Sequence, residues 1–452
     1  MRVSLLRYLL CPFCGATLNG CQAARSDGEV EYDVLTCHCG EYPVVAGIPI
    51  IKKGASGETL DDINSLIKAG RQRDALLAMI VPPPPAVPTL APSWIQSLPS
   101  VKGVRRFKRL AHEREARVWR EQAIALLTET RNGITACKLL DLYYHRSGFK
   151  TNDGYDYFAL RFGQPRHLVA LSFTTLIEQP NKPILDLACG YGHITRSLAQ
   201  RANGQPVVGI DQEFIGLHLA QNFIAPGADY VCCVADGPLP FPDGFFSVAF
   251  CSDAFHYFEN KVTSAAELKR LTQEEGLVVS VWMHNVLWRR PYDGLPLPAE
   301  GYQSLFADMP HRLVADSEIL VRYLQKKGPA LACSTDIDRL AREPLLSIVA
   351  SHRQEFFREY GSFEEWPHVE GRLGLNPLYV EEKQDPAGGV KLRRAFPSAF
   401  YREEHPQCEE YLPESVTVDP QVLVDLTIGT RTPMIDGLIE QLVVLGMPER
   451  YQ

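Results

Sequence analysis

The residues best able to do chemistry sit at the ends of apolar runs. The heptapeptide DLACGYG, residues 186–192, follows a strand-like run and precedes a helical stretch that starts near His193. Glycines in such a turn let the backbone approach a ligand closely, and the helix start offers free N–H groups. Asp186, Ala188, Gly190 and Gly192 are the candidate contacts in this turn. Asp211 closes the next apolar run, VVGID, 25 residues after Asp186, and Gln212 follows it. An acid at that point can accept both hydroxyls of a ribose. Asp236 and Gly237 close a third run, VCCVADG, where a carboxylate can accept the exocyclic amine of an adenine. Ser252 closes the fourth run, with His256 just beyond it, and His284 ends a fifth. Each acid taken singly reads equally well as a helix N-cap. The ordered set points instead to a nucleoside-binding edge.

A second group lies at the N-terminus, as Cys11-Pro-Phe-Cys14-Gly and Cys37-His-Cys39-Gly. The first pair has the spacing of a zinc knuckle. The second is compressed to Cys-x-Cys, and His38 is poorly placed to substitute, since neighbouring residues of an extended chain point apart. The expectation is one structural zinc on Cys11, Cys14, Cys37 and Cys39, with Cys21 a fifth thiol in the same module. The alternative is a metal-free module held by packing of Leu5, Leu9, Val44 and Ile48.

These groups need a scaffold. The runs ILDLAC, PVVGID, YVCCVAD, FFSVAFCSD and LVVSVWMH are rich in β-branched and aromatic residues, and helical stretches such as SAAELKRLTQ separate most of them. That alternation predicts an α/β domain, a doubly wound parallel sheet with helices on both faces. At 452 residues the chain exceeds one ordinary core. The predicted division is a zinc-ribbon-like module over 1–53, then a helical segment and Pro-rich linker over 54–100. A helical lead-in over 101–180, the Rossmann-like core over 181–290 and a C-terminal extension over 291–452 complete it. Six prolines in residues 81–92 mark the linker, and Gly70 should separate two helices in residues 59–80. Beyond residue 290, helices are predicted near 314–327 and 345–360.

The net charge of −8 supplies no general attraction to nucleic acid or anionic lipid. The basic run over 102–120 reads as a solvated helical face. No apolar run reaches the roughly 20 residues that span a bilayer. Arg7 interrupts the short apolar start of the chain, which does not read as a signal peptide. The twelve cysteines then read as reduced thiols of a cytoplasmic protein.

With these residues in view, a resemblance is plain. Residues 183–285, through LDLACGYGHIT, VVGIDQE, ADGPLPFPDGFFSVAFCSDAFHYF and LKRLTQEEGLVVSV, resemble the small-molecule type of class I S-adenosylmethionine-dependent methyltransferase. That group includes ubiquinone and menaquinone methylating enzymes. The resemblance implies that Gly190 and Gly192 hold the methionine part of the cofactor, Asp211 the ribose and Asp236 the adenine. A dinucleotide enzyme would carry a third glycine where His193 and Ile194 stand, which favours S-adenosylmethionine over NAD. The phrases LLRYLLCPFCGATL and LTCHCGEYPVVAGIPII resemble the short zinc-ribbon proteins that activate tRNA and translation-factor methyltransferases.

The expected function is therefore methyl transfer to a small molecule, with no membrane partner. A methyltransferase acting on tRNA or protein, and a non-catalytic scaffold, are the alternatives. His256 is the candidate base; it and His284 sit at strand ends beside the site, and a packed histidine or an aromatic cap on the cofactor is the competing reading of either. Asn376-Pro-Leu-Tyr379 looks like the amino-group methyltransferase motif but falls far from the fourth run, and reads as a turn.

Overall fold

The computed structural model describes residues 1–20, 28–52, 60–80, 114, 134–147, 153–288, 294–333, 336–362, 371–382 and 388–452. Cys21, the proline-rich residues 81–92, and the basic run 102–120 apart from Arg114 lie outside the described residues.

Short strands β1 (Asn19–Gly20), β2 (Asp33–Cys37), β3 (Gly40–Val45) and β4 (Ile48–Pro49) make an antiparallel sheet in that order. The two helices read around Gly70 are Leu60–Lys68 and Gln72–Ile80, and Gly70 takes the left-handed φ of +71° that ends the first.

The central sheet has seven strands. They are β5 (Ile184–Leu187), β6 (Val207–Asp211), β7 (Asp229–Cys232), β8 (Phe246–Ser252), β9 (Thr272–His284), β10 (His311–Ala315) and β11 (Leu345–Ala350). Their order is β10-β11-β9-β8-β5-β6-β7. The five runs read from sequence are β5 to β9, all parallel. Two expectations are corrected here. The sheet is mixed, because β11 runs antiparallel to β9 and β10 antiparallel to β11. It also continues well past residue 290. Residues 345–350, read as the start of a helix, form β11: the run LLSIVA carries no decisive period, and pairing with β9 buries it. The helix expected near 314–327 is observed at Asp316–Leu324.

Side chains of each strand alternate between two cores. Val248 and Phe250 join one cluster together with Leu168, Ile194 and Ile319 from the helices over that face. Ala249 and Cys251 join the other, with Leu268 and Tyr302. The arrangement is the expected helix–sheet–helix sandwich.

The N-terminal module does not stand apart. Ile50 bridges Cys232 in parallel fashion, Ile51 N–H donates to the Cys232 carbonyl at 2.8 Å, and Leu10 N–H donates to that of Pro240 at 3.0 Å. Arg2 pairs with the buried Asp229 at 2.8 Å. These bonds cover the free edge of β7, which would otherwise expose an unpaired ladder.

The C-terminal part adds β12 (Arg372–Leu375), β13 (Tyr379–Glu381), β14 (Val390–Arg394), β15 (Ser415–Val418) and β16 (Val444–Met447). β12 pairs with β16, and β13, β14 and β15 form a small sheet. Asn376 serves the turn between β12 and β13: its side chain donates to the Leu442 carbonyl and accepts from Leu378 N–H. Among the described residues no helix is long and apolar enough to cross a membrane.

Candidate functional site

Strand order reverses between β5 and β8, and in open α/β sheets ligands bind in the crevice outside the strand ends at such a point. The turn after β5 carries the glycines. Gly190 has φ +54° and Gly192 φ +80°, conformations in which an L side chain is strained. A β-carbon at Gly192 would lie 2.7 Å from Ala220 Cβ, whereas one at Gly190 would meet nothing within 4 Å. Gly192 is therefore required by packing, and Gly190 leaves its outer face open to a ligand. The following helix starts at His193, as read from sequence.

Asp186 is buried and accepts from Thr195 Oγ1 at 2.6 Å, so it ties β5 to that helix. Burial, against the opposing Thr195 bond, pushes its carboxyl up to about 7. Asp211 accepts from Gly190 N–H and Glu213 N–H, each at 2.9 Å, and so fixes the glycine turn from the neighbouring strand. Burial raises its carboxyl, and those backbone bonds resist the shift. The exposed Gln212 accepts through its carbonyl from Lys52 Nζ at 2.9 Å, a link from the N-terminal module. Asp236 does not end β7, which stops at Cys232; it lies in the loop beyond and accepts from Glu259 N–H at 2.9 Å. Gly237 follows it, with open space where a β-carbon would stand. Ser252 ends β8, and its buried Oγ has no partner among the described residues.

Positive φ outside glycine marks the same edge: Ala188 after β5, Asp253 after β8 and Trp282 near the end of β9. Strain of this kind gathers where a surrounding site over-determines the backbone.

Sequence reasoning missed the group around Asp253. Its Oδ2 accepts from Arg161 Nη1 and Arg166 Nη1, each at 2.9 Å, and from Tyr157 at 3.4 Å. Burial alone would raise this carboxyl, but the two guanidinium groups hold it well below the usual range. Arg166 Nη2 also meets His405 Nε2 at 2.8 Å, and His405 Nδ1 lies 3.1 Å from the Tyr401 carbonyl. That pairing makes His405 a neutral acceptor toward Arg166. Arg161 and Arg166 come from the helical lead-in, where nothing in their spacing separates them from surface charges.

His256 is fully buried, with ring centroids 4.2 Å from both His284 and Tyr257. Burial and then the neighbouring His284 lower its imidazole to about 3, so it is neutral at physiological pH. Its carbonyl accepts from Leu295 N–H and Lys261 Nζ. Both of those residues line a cavity of about 590 Å³ with Val262, Val286 and Leu297. A second cavity, of about 300 Å³, lies among Arg372, Leu426 and Tyr451 and is lined by none of these site residues.

The four N-terminal cysteines do converge. Their sulfurs all lie within 4.8 Å of one another. Cys11–Cys39 and Cys37–Cys39 are 3.3 Å apart and Cys14–Cys37 3.9 Å. A tetrahedral zinc with sulfur at about 2.3 Å requires sulfurs roughly 3.8 Å apart, so the donor set fits that ion. The compressed spacing is tolerated because Cys37 and Gly40 pair across a tight hairpin, which puts Cys39 on the turn. His38 is exposed and outside the cluster. Leu5, Leu9 and Val44 are buried in the same apolar cluster as Cys11, and Ile48 is buried in the other.

Residues 185–280 match the family described as methyltransferase domain. Over 105 residues the chain is 35% identical to the demethylmenaquinone methyltransferase of Thermus thermophilus, 23% of this chain and 48% of that protein. The chain thus spans about half the length of the curated relative it matches. Among solved structures it is similar to geranyl diphosphate C-methyltransferase from Streptomyces coelicolor A3(2), at 15% identity over 39% of this chain and 71% of that one, TM-score 0.30. It is also similar to a chain in the complex between the Haloferax volcanii Trm112 methyltransferase activator and a methyltransferase. That likeness is 17% identical over 44% and 96% of the two chains, with a TM-score of 0.33.

Proposed function

We propose that this protein is an S-adenosylmethionine-dependent methyltransferase acting on a small molecule. One observation carries the reading: Ser252, the open face of Gly190, the Asp211 carboxylate and the Asp236–Gly237 loop follow one another along the edge β8, β5, β6 and β7. The family match over 185–280 and the named activity of the Thermus relative support it. Gly190 and Gly192 would hold the methionine part, Asp211 the ribose and Asp236 the adenine amine. Bound there, the cofactor supplies a methyl group already activated on a sulfonium, so the chain's task is orientation and exclusion of water. Asp186 and Asp211 serve orientation by fixing the glycine turn. His256, the candidate base, is neutral and enclosed; with its imidazole lowered to about 3 its lone pair would orient an acceptor by hydrogen bonding better than it would hold an abstracted proton.

Asp211→Ala tests the cofactor reading. It should weaken S-adenosylhomocysteine binding by about 1.5–3 kcal/mol, the worth of hydrogen bonds to a charged group, or roughly 10- to 150-fold. Calorimetry that finds normal affinity in this variant removes the ribose role from Asp211. Heat from NAD with none from S-adenosylhomocysteine would sink the whole assignment.

We also propose one structural zinc on Cys11, Cys14, Cys37 and Cys39. Burial disfavours the Cys11 thiolate, but bonds from Tyr42 and the Phe13 backbone bring it down to about 6, while the neighbouring sulfurs push the Cys39 thiol up. Elemental analysis of protein purified without chelator should find about one equivalent. Stripping the metal should also weaken cofactor binding, because the module pairs with β7 and its Lys52 holds the Gln212 carbonyl. Under about a tenth of an equivalent, with all four thiols alkylated in the folded protein, means that packing alone holds the module.

A further inference from the structure

Several unpartnered polar atoms gather where β8 ends. Ser252 Oγ, both ring nitrogens of His256, Arg166 Nε and Gln164 Nε2 are buried atoms with no hydrogen-bond partner among the described residues. His256 itself is 0% exposed. Buried polar groups are almost always paired, so a cluster of exceptions needs a cause. The stacking of His256 on His284 and Tyr257 uses the faces of its ring and leaves the in-plane nitrogens unspent.

Donors prevail among these atoms. Arg166 Nε and Gln164 Nε2 can only donate, Ser252 Oγ can donate or accept, and a neutral imidazole adds one N–H beside its one lone pair. Charge leans the same way. Two guanidinium groups share the single Asp253 carboxylate, and the Lys261 ammonium donates to the His256 carbonyl. Glu404 lies 3.9 Å from Arg166 but is 43% exposed, where water screens it. The complement of a donor-rich, positive, enclosed edge is an anionic oxygen.

We propose that Ser252, His256 and Arg166 form the acceptor subsite, and that the methyl acceptor is a small organic molecule presenting an anionic oxygen group to it. This rests on the methyltransferase reading and names its substrate class. The position agrees, since Ser252 ends the strand that pairs with β5, which leads into the glycine turn. A divalent cation on Asp253, His256 and His284, whose ligand atoms lie within 4.8 Å of one another, is the competing occupant. Both guanidinium groups already on Asp253 oppose a second cation there.

The test titrates 4-hydroxybenzoate into the full chain saturated with S-adenosylhomocysteine, with 4-hydroxybenzamide as the uncharged control. The acid should bind at least about ten-fold more tightly than the amide, and His256→Phe and Arg166→Met should each abolish that preference. If Arg166→Met does not fold, Arg166→Lys keeps the charge while losing the Nε donor and should retain only part of it. In the unsubstituted protein, the nitrogen resonances of the imidazole that His256→Phe removes should move with the acid and not with the amide. Equal binding of acid and amide, no binding of the acid, or a preference that survives His256→Phe overturns the proposal. So does stoichiometric zinc or manganese that is lost in His256→Phe and displaces the acid. Titration of S-adenosylhomocysteine alone separates the two readings. Its failure removes the methyltransferase assignment, while acid binding that depends on His256 would still uphold the subsite.

Discussion

Gly190→Val should lower S-adenosylhomocysteine affinity by more than about 100-fold while the protein still folds. Its added β-carbon would touch no protein atom within 4 Å. The backbone at φ +54° adds a left-handed penalty of about 1–2 kcal/mol, and more for a β-branched residue. Everything beyond that must come from the ligand, whose approach to the turn the valine blocks. Gly192→Val is the informative contrast. There the β-carbon would collide with Ala220, and folding should suffer first. Calorimetry paired with denaturant unfolding separates the two. Normal affinity in folded Gly190→Val would mean that the ligand does not pass over this turn.

Asp253→Ala should destabilise the protein by about 3–5 kcal/mol, the usual result of breaking a buried pair and leaving its partner charged. The side chains of Arg161, Arg166 and Asp253 are only 4%, 12% and 3% exposed, so the two cations would lose their counter-ion with little water to replace it. Asp253→Asn should cost less, since asparagine tolerates the φ of +58° and still accepts a hydrogen bond. The same ion group predicts acid lability. The folded carboxyl lies below its unfolded value of about 3.9, so its contribution is full above that pH. It drains away as pH falls toward the folded value. Unfolding followed from pH 6 to pH 2 should show the wild type losing more stability below about pH 4 than Asp253→Asn loses. Equal slopes would mean that Asp253 does not govern acid stability.

Some elements were legible in advance because local chemistry decides them. A strand end followed by Gly190-Tyr-Gly192 can do little else than turn, and Gly70 can do little else than stop a helix. The alternation of strands and helices set the layers, since a parallel strand needs a crossover and the helix supplies it. The cysteine pairs announced their cluster by spacing, and the two-residue turn at His38 and Cys39 reconciled the compressed pair with convergence. Acids at the ends of successive runs marked one edge of the sheet before any topology was known, because parallel strands carry their ends to the same side.

Other features were decided only by the tertiary structure. Residues 345–350 are apolar without a period, and only hydrogen bonding to β9 makes them a strand, extending the sheet and reversing its direction. Asp236 reached the edge in a loop and not at a strand end, since β7 gives up pairing once β6 ends. Arg161 and Arg166 look from sequence like any basic residues on a helical stretch. Folding carries them against Asp253, 92 and 87 residues away, where exclusion of water turns ordinary charges into a fixed ion group. Burial also gave His256 its neutral ring and unmatched nitrogens, since desolvation belongs to the surroundings of a residue and is not written in its neighbours along the chain.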